Sequence, residues 1–261
     1  MFFCPRKTTL ILFTVTISLL ILNHPAITVI TATENNSDSL IITHGIASGD
    51  VTDDSAVVWS RSNRESQMHV EYDTNTNFSQ PKSTNAATLT NQTTDYTAHV
   101  KLESLSPDTL YYYRVWFSTP SSSQANENGA LISNTLTGSF RTAPDPSLSS
   151  AKPLLFIFAA DLGGQKHCRQ ADNGGYSIFE KMKELSPDFF IANGDMIYAA
   201  DKCPVEGPSD EWKNIPGNFS GVADPNVNWN NTEQVRDTYL KHWQYNRADP
   251  YLQSFLQNTS M

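Results

Sequence analysis

With 261 residues, 18 Lys plus Arg against 27 Asp plus Glu, and a net charge of −9, the chain has room for one large domain or two small ones. It lacks the basic face with which a nucleic-acid binder displaces counterions from phosphates. A hydrophobic content of 39% with 11% aromatic residues can fill a core, which excludes disorder throughout, and with only 17% charged residues much of the surface polarity falls to Ser, Thr and Asn.

Arg6 and Lys7 precede residues 8–22, an uncharged and largely apolar run that Asn23-His24-Pro25 interrupts. Residues 1–32 therefore read as a secretory signal with a cleavage point after Ala32. The alternative is an uncleaved anchor, since the run is shorter than the roughly 20 residues of a spanning helix and would have to continue past Pro25. Either way the rest of the chain is expected to be exported, secreted or at the cell surface, and a membrane is a partner only if the segment stays. Cys168 and Cys203 then lie in a compartment where a disulfide persists. Six Asn-x-Ser/Thr sequons, at Asn35, Asn77, Asn91, Asn218, Asn230 and Asn258, suit a glycoprotein.

Residues 33–142 read as short alternating strands separated by turn signals. Runs at 56–59, 68–72, 98–102 and 111–117 recur at the intervals of a small β-sandwich. In Leu105-Ser106-Pro107-Asp108-Thr109-Leu110-Tyr111 a turn leads into a strand whose early Tyr can hydrogen-bond back over the corner. This segment resembles a fibronectin type III module. Residues 118–137, rich in Ser, Asn and Gly, read as a long hairpin loop, 140–142 as the last strand, and 143–152 as a linker.

Beyond the linker the period changes. Residues 154–160 are an unbroken apolar run ending at Asp161, the pattern of a strand buried on both faces. Ile178, Phe179, Met182 and Leu185 share a helical face, and Phe189-Phe190-Ile191-Ala192 repeats the buried-strand pattern before Asn193-Gly194-Asp195. This strand, helix, strand order predicts a βαβ unit with parallel strands, so that Asp161 and Asp195 emerge at the same sheet edge, where open α/β sheets place ligands. Residues 199–231 read as an irregular excursion. A helix is expected from Thr232, capped by Asn231 or Thr232, with Val235, Tyr239, Leu240 and Trp243 inward, and Asp249-Pro250 ends it.

Two carboxylates at neighbouring strand ends repel unless a cation lies between them, and hard cations take oxygen ligands of this kind. Tyr198, three residues after Asp195, would ligate as phenolate only to a strongly acidic ion such as Fe(III), because a free phenol titrates near 10. Read alone, Asp161 also suits a turn or helix cap, Tyr198 a packed ring, and His167 a surface loop as well as a substrate contact. Gly163-Gly164 and Gly174-Gly175 suit turns as well as a close approach to phosphate.

Residues 158–164 (FAADLGG) and 187–198 (PDFFIANGDMIY) resemble the first two motifs of the calcineurin-like metallophosphoesterases. The nearest branches are the PhoD-like alkaline phosphatases and the purple acid phosphatases. His44-Gly45-Ile46-Ala47-Ser48-Gly49-Asp50 and residues 56–61 are similar to the amino-terminal domain of the PhoD branch, so the resemblance spans residues 44–261. Ala160, where the PhoD branch often has Cys, shifts the match toward the purple acid type. The fold class implied is a fibronectin type III-like β-sandwich followed by the first part of an α/β metallophosphoesterase domain, residues 153–261.

The resemblance implies that Asp161 binds one metal, Asp195 bridges two and Tyr198 gives a phenolate to a ferric ion. Asp201 and Asn193 would stand just behind these ligands. The cofactor implied is a binuclear centre of Fe(III) plus a divalent ion (Ca, Zn, Mn or Fe), and the substrate a small phosphate ester hydrolysed by activated water. The family's later Asn and His ligands have no counterpart here: none of His24, His44, His69, His99, His167 and His242 follows a third buried strand, so the chain reads as an incomplete amino-terminal portion. Cys168 and Cys203 each follow one of the two strands, which suits a disulfide across one rim; free thiols, or Cys168 as a soft ligand, are the other readings. The competing function is a noncatalytic cell-surface binding module with a remnant α/β unit.

Overall fold

The computed structural model describes residues 39–84, 88–119, 131–147, 153–200, 202–221 and 224–261. The signal segment, most of the 118–137 loop, the second half of the linker and Asp201 lie outside the described residues. All described residues belong to the unit Asp38–Met261.

Eight strands come first: β1 (Ile42–Gly49), β2 (Ala56–Ser62), β3 (Ser66–Asp73), β4 (Lys82–Ser83), β5 (Thr88–Thr90), β6 (Thr97–Leu102), β7 (Leu110–Ser118) and β8 (Leu136–Arg141). They form two antiparallel sheets, β1-β2-β6 and β4-β3-β7-β8, with β5 also paired to β3. Burial alternates strictly along β2, β3 and β7, because successive side chains of a strand point to opposite faces. The inward residues of both sheets meet in one core, with Val58, Val100 and Leu102 from one sheet and Met68, Val70, Tyr113, Val115 and Phe117 from the other. The backbone N–H of Ser106 donates to the Tyr111 hydroxyl at 2.9 Å, closing the corner that the sequence pattern anticipates. β1 has no alternating pattern to betray it. Its pairing with β2 shifts register between Ile42 and Ile46, around Gly45 at φ +70°.

The second layer holds β9 (Phe156–Ala159), α1 (Ile178–Glu184), β10 (Phe189–Ala192), α2 (Thr232–Arg247) and α3 (Pro250–Leu256). β9 and β10 run parallel, with Phe189 opposite Phe156 and Ala192 opposite Ala159. Residues in register share a face, and only one face is covered. Phe190 packs there with Phe179 of α1, with Leu252, Phe255 and Leu256 of α3, and with Ala47 of β1. The other face carries Phe156 and Phe158, 47% and 68% exposed, and Ile191, 42% exposed. The expectation of strands buried on both faces is thus corrected: no described element lies over that side.

Two helix faces also differ from expectation. In α1, Phe179 is buried and Met182 packs beside it, whereas Ile178 and Leu185 are exposed. α2 has its predicted cap, with Asn231 accepting from Gln234 N–H at 3.1 Å, but it buries Thr238, His242 and Asn246 and leaves Tyr239 and Trp243 exposed. Its inward side meets hydrogen-bonding loops instead of an apolar core, so a polar stripe at four-residue spacing is the one that turns in. Asp249 ends α2 and caps α3, accepting from the N–H groups of Tyr251 and Leu252 at 3.1 and 3.0 Å ahead of Pro250 at the first helical position. Among the described residues no helix is long and apolar enough to cross a membrane.

Residues 257–261 tie the two layers together. The Gln257 carbonyl accepts from Ser139 N–H at 3.1 Å and from the Tyr113 hydroxyl at 3.3 Å. Ser260 pairs beside Phe189 on the open edge of β10, and Met261 N–H donates to the Ser48 carbonyl at 3.0 Å. Gly138 makes this approach possible, since a β-carbon there would come within 2.2 Å of the Gln257 oxygen.

Candidate metal centre

β9 and β10 finish side by side, and the chain turns sharply after each. Asp161, Gly194 and Asp195 adopt φ of +60°, +96° and +50°. Gly occupies this left-handed region freely, while each Asp gives up roughly 1–2 kcal/mol to be there, offset in part because short polar side chains tolerate it better than most. Two backbone bonds lace the turns together: Asn193 N–H to the Ala159 carbonyl at 2.8 Å, and Leu162 N–H to the Asp195 carbonyl at 2.9 Å.

The two carboxylates, both exposed, meet at one phenol. The Tyr198 hydroxyl donates to Asp161 Oδ1 in a short hydrogen bond and lies 3.1 Å from Asp195 Oδ2. The phenol is held well above its ordinary range, first by the bond to Asp161, then by partial loss of water, and then by the bond to Asp195 and the two negative charges. Its ring rests on Gly164, where a β-carbon would come within 2.8 Å of it. That steric role accounts for Gly164 without invoking phosphate.

Three hard oxygen donors, two of them anionic, therefore converge on one small space, a donor set that fits a hard cation. Among the described residues, no three His, Cys, Asp or Glu side chains gather in one place, so this cluster is two carboxylates and a phenol. Asn193 lies beside it on the exposed edge, its N–H engaged with β9. His167 is outside the cluster; it packs edge-on against Trp212, ring centroids 5.0 Å apart.

Cys168 and Cys203 are joined in a disulfide with Cα atoms 6.0 Å apart, linking the loop after Asp161 to the loop after Tyr198. Asn214, fully buried, knits the same loops. Its Oδ1 accepts from Cys168 N–H and Trp212 Nε1, and its Nδ2 donates to the carbonyls of Lys166 and Pro204. Trp212 is therefore a loop anchor, whereas Trp229 and Trp243 are 59% and 44% exposed.

Behind the cluster lies a second group that the sequence reading omits. Asp249 is completely buried, receives Arg169 Nε at 3.2 Å and Tyr176 N–H at 2.9 Å, and is matched by Gly175, where no β-carbon would fit. Asn246 connects this group to the loop that carries Asp195. The available signal was the spacing of Thr238, His242 and Asn246, three polar residues four apart on one face of the helix. A cavity of about 1020 Å³ opens on the other side of Asp195, between Trp59 of β2 and Leu240 and Trp243 of α2.

A two-sheet antiparallel domain leading into a parallel strand pair with carboxylates at its edge defines the class. Two family models match it, the PhoD-like phosphatase N-terminal domain over residues 28–144 and the PhoD-like phosphatase domain over residues 162–261. The chain belongs to the PhoD-like phosphatase family. Both matches are PhoD-like, so Ala160 does not move the chain to the purple acid branch.

The solved structure of PhoD is similar in fold, with a TM-score of 0.61 at 21% identity over 87% of this chain; the match spans 39% of the length of that protein. The fn3 domain of human collagen alpha-1(XX) chain aligns over 42% of this chain and 87% of its own, at 25% identity and a TM-score of 0.28. No curated protein matches the chain.

Proposed function

We propose that this chain belongs to an exported phosphoric ester hydrolase in which Asp161, Asp195 and Tyr198 hold part of a binuclear metal centre. Asp161 would hold one ion, Asp195 would serve both, and Tyr198 would serve Fe(III) as phenolate, the second ion being divalent (Ca, Zn, Mn or Fe). Asn193 and Asp201 would support these ligands without touching the ions, Asp201 being outside the described residues. Residues 1–32 would then be a signal, 33–142 a fibronectin type III-like sandwich, 143–152 a linker and 153–261 part of the catalytic domain. The observation that carries it is the meeting of two carboxylates and one phenol where adjacent parallel strands end.

When bound, the ions supply Lewis-acid chemistry, polarising a phosphoryl oxygen and making water a nucleophile at neutral pH. The chain's own residues do the rest. Asp161 and Asp195 bring two negative charges to an exposed edge, and an anionic phosphate ester is repelled from them until those charges are compensated. Tyr198 gives up to solvent the proton that it otherwise shares with the carboxylates. The left-handed turns and the Leu162–Asp195 backbone bond fix where the two carboxylates stand. The described residues offer three oxygen donors, and two ions need further ligands from elsewhere.

The test is hydrolysis of a chromogenic phosphomonoester and a diester, with and without added iron and calcium, by the enzyme that includes those further ligands, as wild type and as D195N. Asn also tolerates the left-handed backbone, so this substitution removes charge and little else. Metal-dependent turnover that falls about a hundredfold or more in D195N is expected, the size of losing one fixed electrostatic group at a reacting centre. Equal turnover by wild type and variant would remove Asp195 from the mechanism.

A further inference from the structure

We infer that Asn246 is a positioning residue for the segment that carries Asp195 and Tyr198, an assignment that rests on the metal-ligand reading above. Asn246 sits near the end of α2 and is 6% exposed. Its Nδ2 donates to the Met196 carbonyl at 2.8 Å, and its Oδ1 accepts from the Tyr176 hydroxyl at 2.9 Å. The orientation of the amide is fixed, because a backbone carbonyl only accepts and must face the nitrogen. Tyr176 is itself immobilised, with its N–H on buried Asp249 and its ring edge-on to Phe179.

The peptide that Asn246 grips, Met196–Ile197, is the second one after Asp195. Leu162 N–H holds the Asp195 carbonyl at 2.9 Å, and Asn246 holds the next carbonyl in the chain. Two successive carbonyls are thereby pinned from different elements, one by the loop after β9 and one by α2. This double hold keeps Asp195 at φ +50° and sets the position from which Tyr198, two residues beyond Met196, reaches both carboxylates. Without the amide, the Met196 carbonyl loses this partner and the turn loses one of its two anchors.

The test uses the 261-residue chain and two variants: N246L, which keeps the volume and removes both bonds, and Y176F, which removes one hydroxyl. In metal-free protein, hydrogen exchange at the Leu162 amide is expected to rise about tenfold in N246L, while the Asn193 amide, bonded to β9, keeps its wild-type rate. Added Fe(III) alone, followed by the phenolate-to-iron absorption band, is expected to bind N246L about tenfold or more weakly, the usual effect of losing a group that orients a metal ligand. Y176F should show the same two changes at smaller size.

Wild-type exchange and wild-type iron affinity in N246L would overturn the inference, as would a rise in exchange at Leu162 and Asn193 alike. If N246L does not fold, an unchanged Leu162 rate in Y176F overturns it. Failure of the wild type to take up Fe(III) would overturn the ligand reading instead, and the exchange measurement would still decide whether Asn246 holds the turn.

Discussion

The sandwich and the parallel strand pair distribute their side chains in opposite ways. In β2, β3 and β7 each inward residue is buried against the facing sheet, and the largest, Tyr113 and Phe117, are completely enclosed. In β9 and β10 one face packs on α1 and α3 while Phe156, Phe158 and Ile191 stand in solvent, and the charged chemistry sits at the tips on left-handed backbone. Burial is concentrated where the pattern is regular, and the two carboxylates and the phenol are placed where regular structure stops. Strain at such tips persists because neighbouring bonds hold it.

The sharpest way to break this contrast is to truncate one ring in each region. Phe117→Ala should cost about 3–5 kcal/mol in urea unfolding, through lost burial and the cavity left behind. Phe158→Ala, at an exposed ring, should stay within about 0.5 kcal/mol. Comparable losses at the two positions would refute the division of labour.

A middle-sized effect comes from the outer side of the sandwich, where β1 meets α2. Burial first, then the Arg61 and Arg247 charges, push the His44 imidazole down to about 4, with Asp95 opposing. The unfolded chain takes up that proton near 6.5, so between those values it binds more protons than the folded one. His44 therefore leaves stability intact above pH 6.5 and removes up to about 3 kcal/mol as pH falls toward 4. Unfolding curves of H44Q should be flatter across that window, and an unchanged slope would show that other groups set the acid limit. A smaller loss is expected of Tyr111→Phe, which breaks the corner bond to Ser106 and should cost about 1 kcal/mol by thermal unfolding.

Legibility followed the same division. Strict alternation exposed β2, β3, β6 and β7, and the turn before Tyr111 marked the corner, because these depend on period and local geometry. β1 escaped because its bulge and glycines break the period. The edge location of Asp161 and Asp195 was readable from two apolar runs ending in Asp, since the parallel register follows from the order of elements. What covers a strand face is a tertiary matter, and residues 154–160 carry no mark separating a face that is packed from one that is bare. The buried side of α2 was misassigned for a related reason: hydrophobicity picks out Tyr239 and Trp243, whereas Thr238, His242 and Asn246 turn inward toward polar loops. The four-residue spacing could place Asn246 on the inward stripe, but its task could not be read, because that depends on a carbonyl fifty positions away.

The positive φ values at positions 161 and 195 act as a filter on spelling. The backbone alone admits Gly, Asn and Asp at low cost, and a demand for negative charge then leaves one letter of the three. Glu, a conservative exchange on a helix surface, would fail here twice over, by its reach and by its backbone. Asp to Asn and Asp to Gly both remove the charge while keeping the shape of the turn, and of the two only Asn also keeps the size of the side chain.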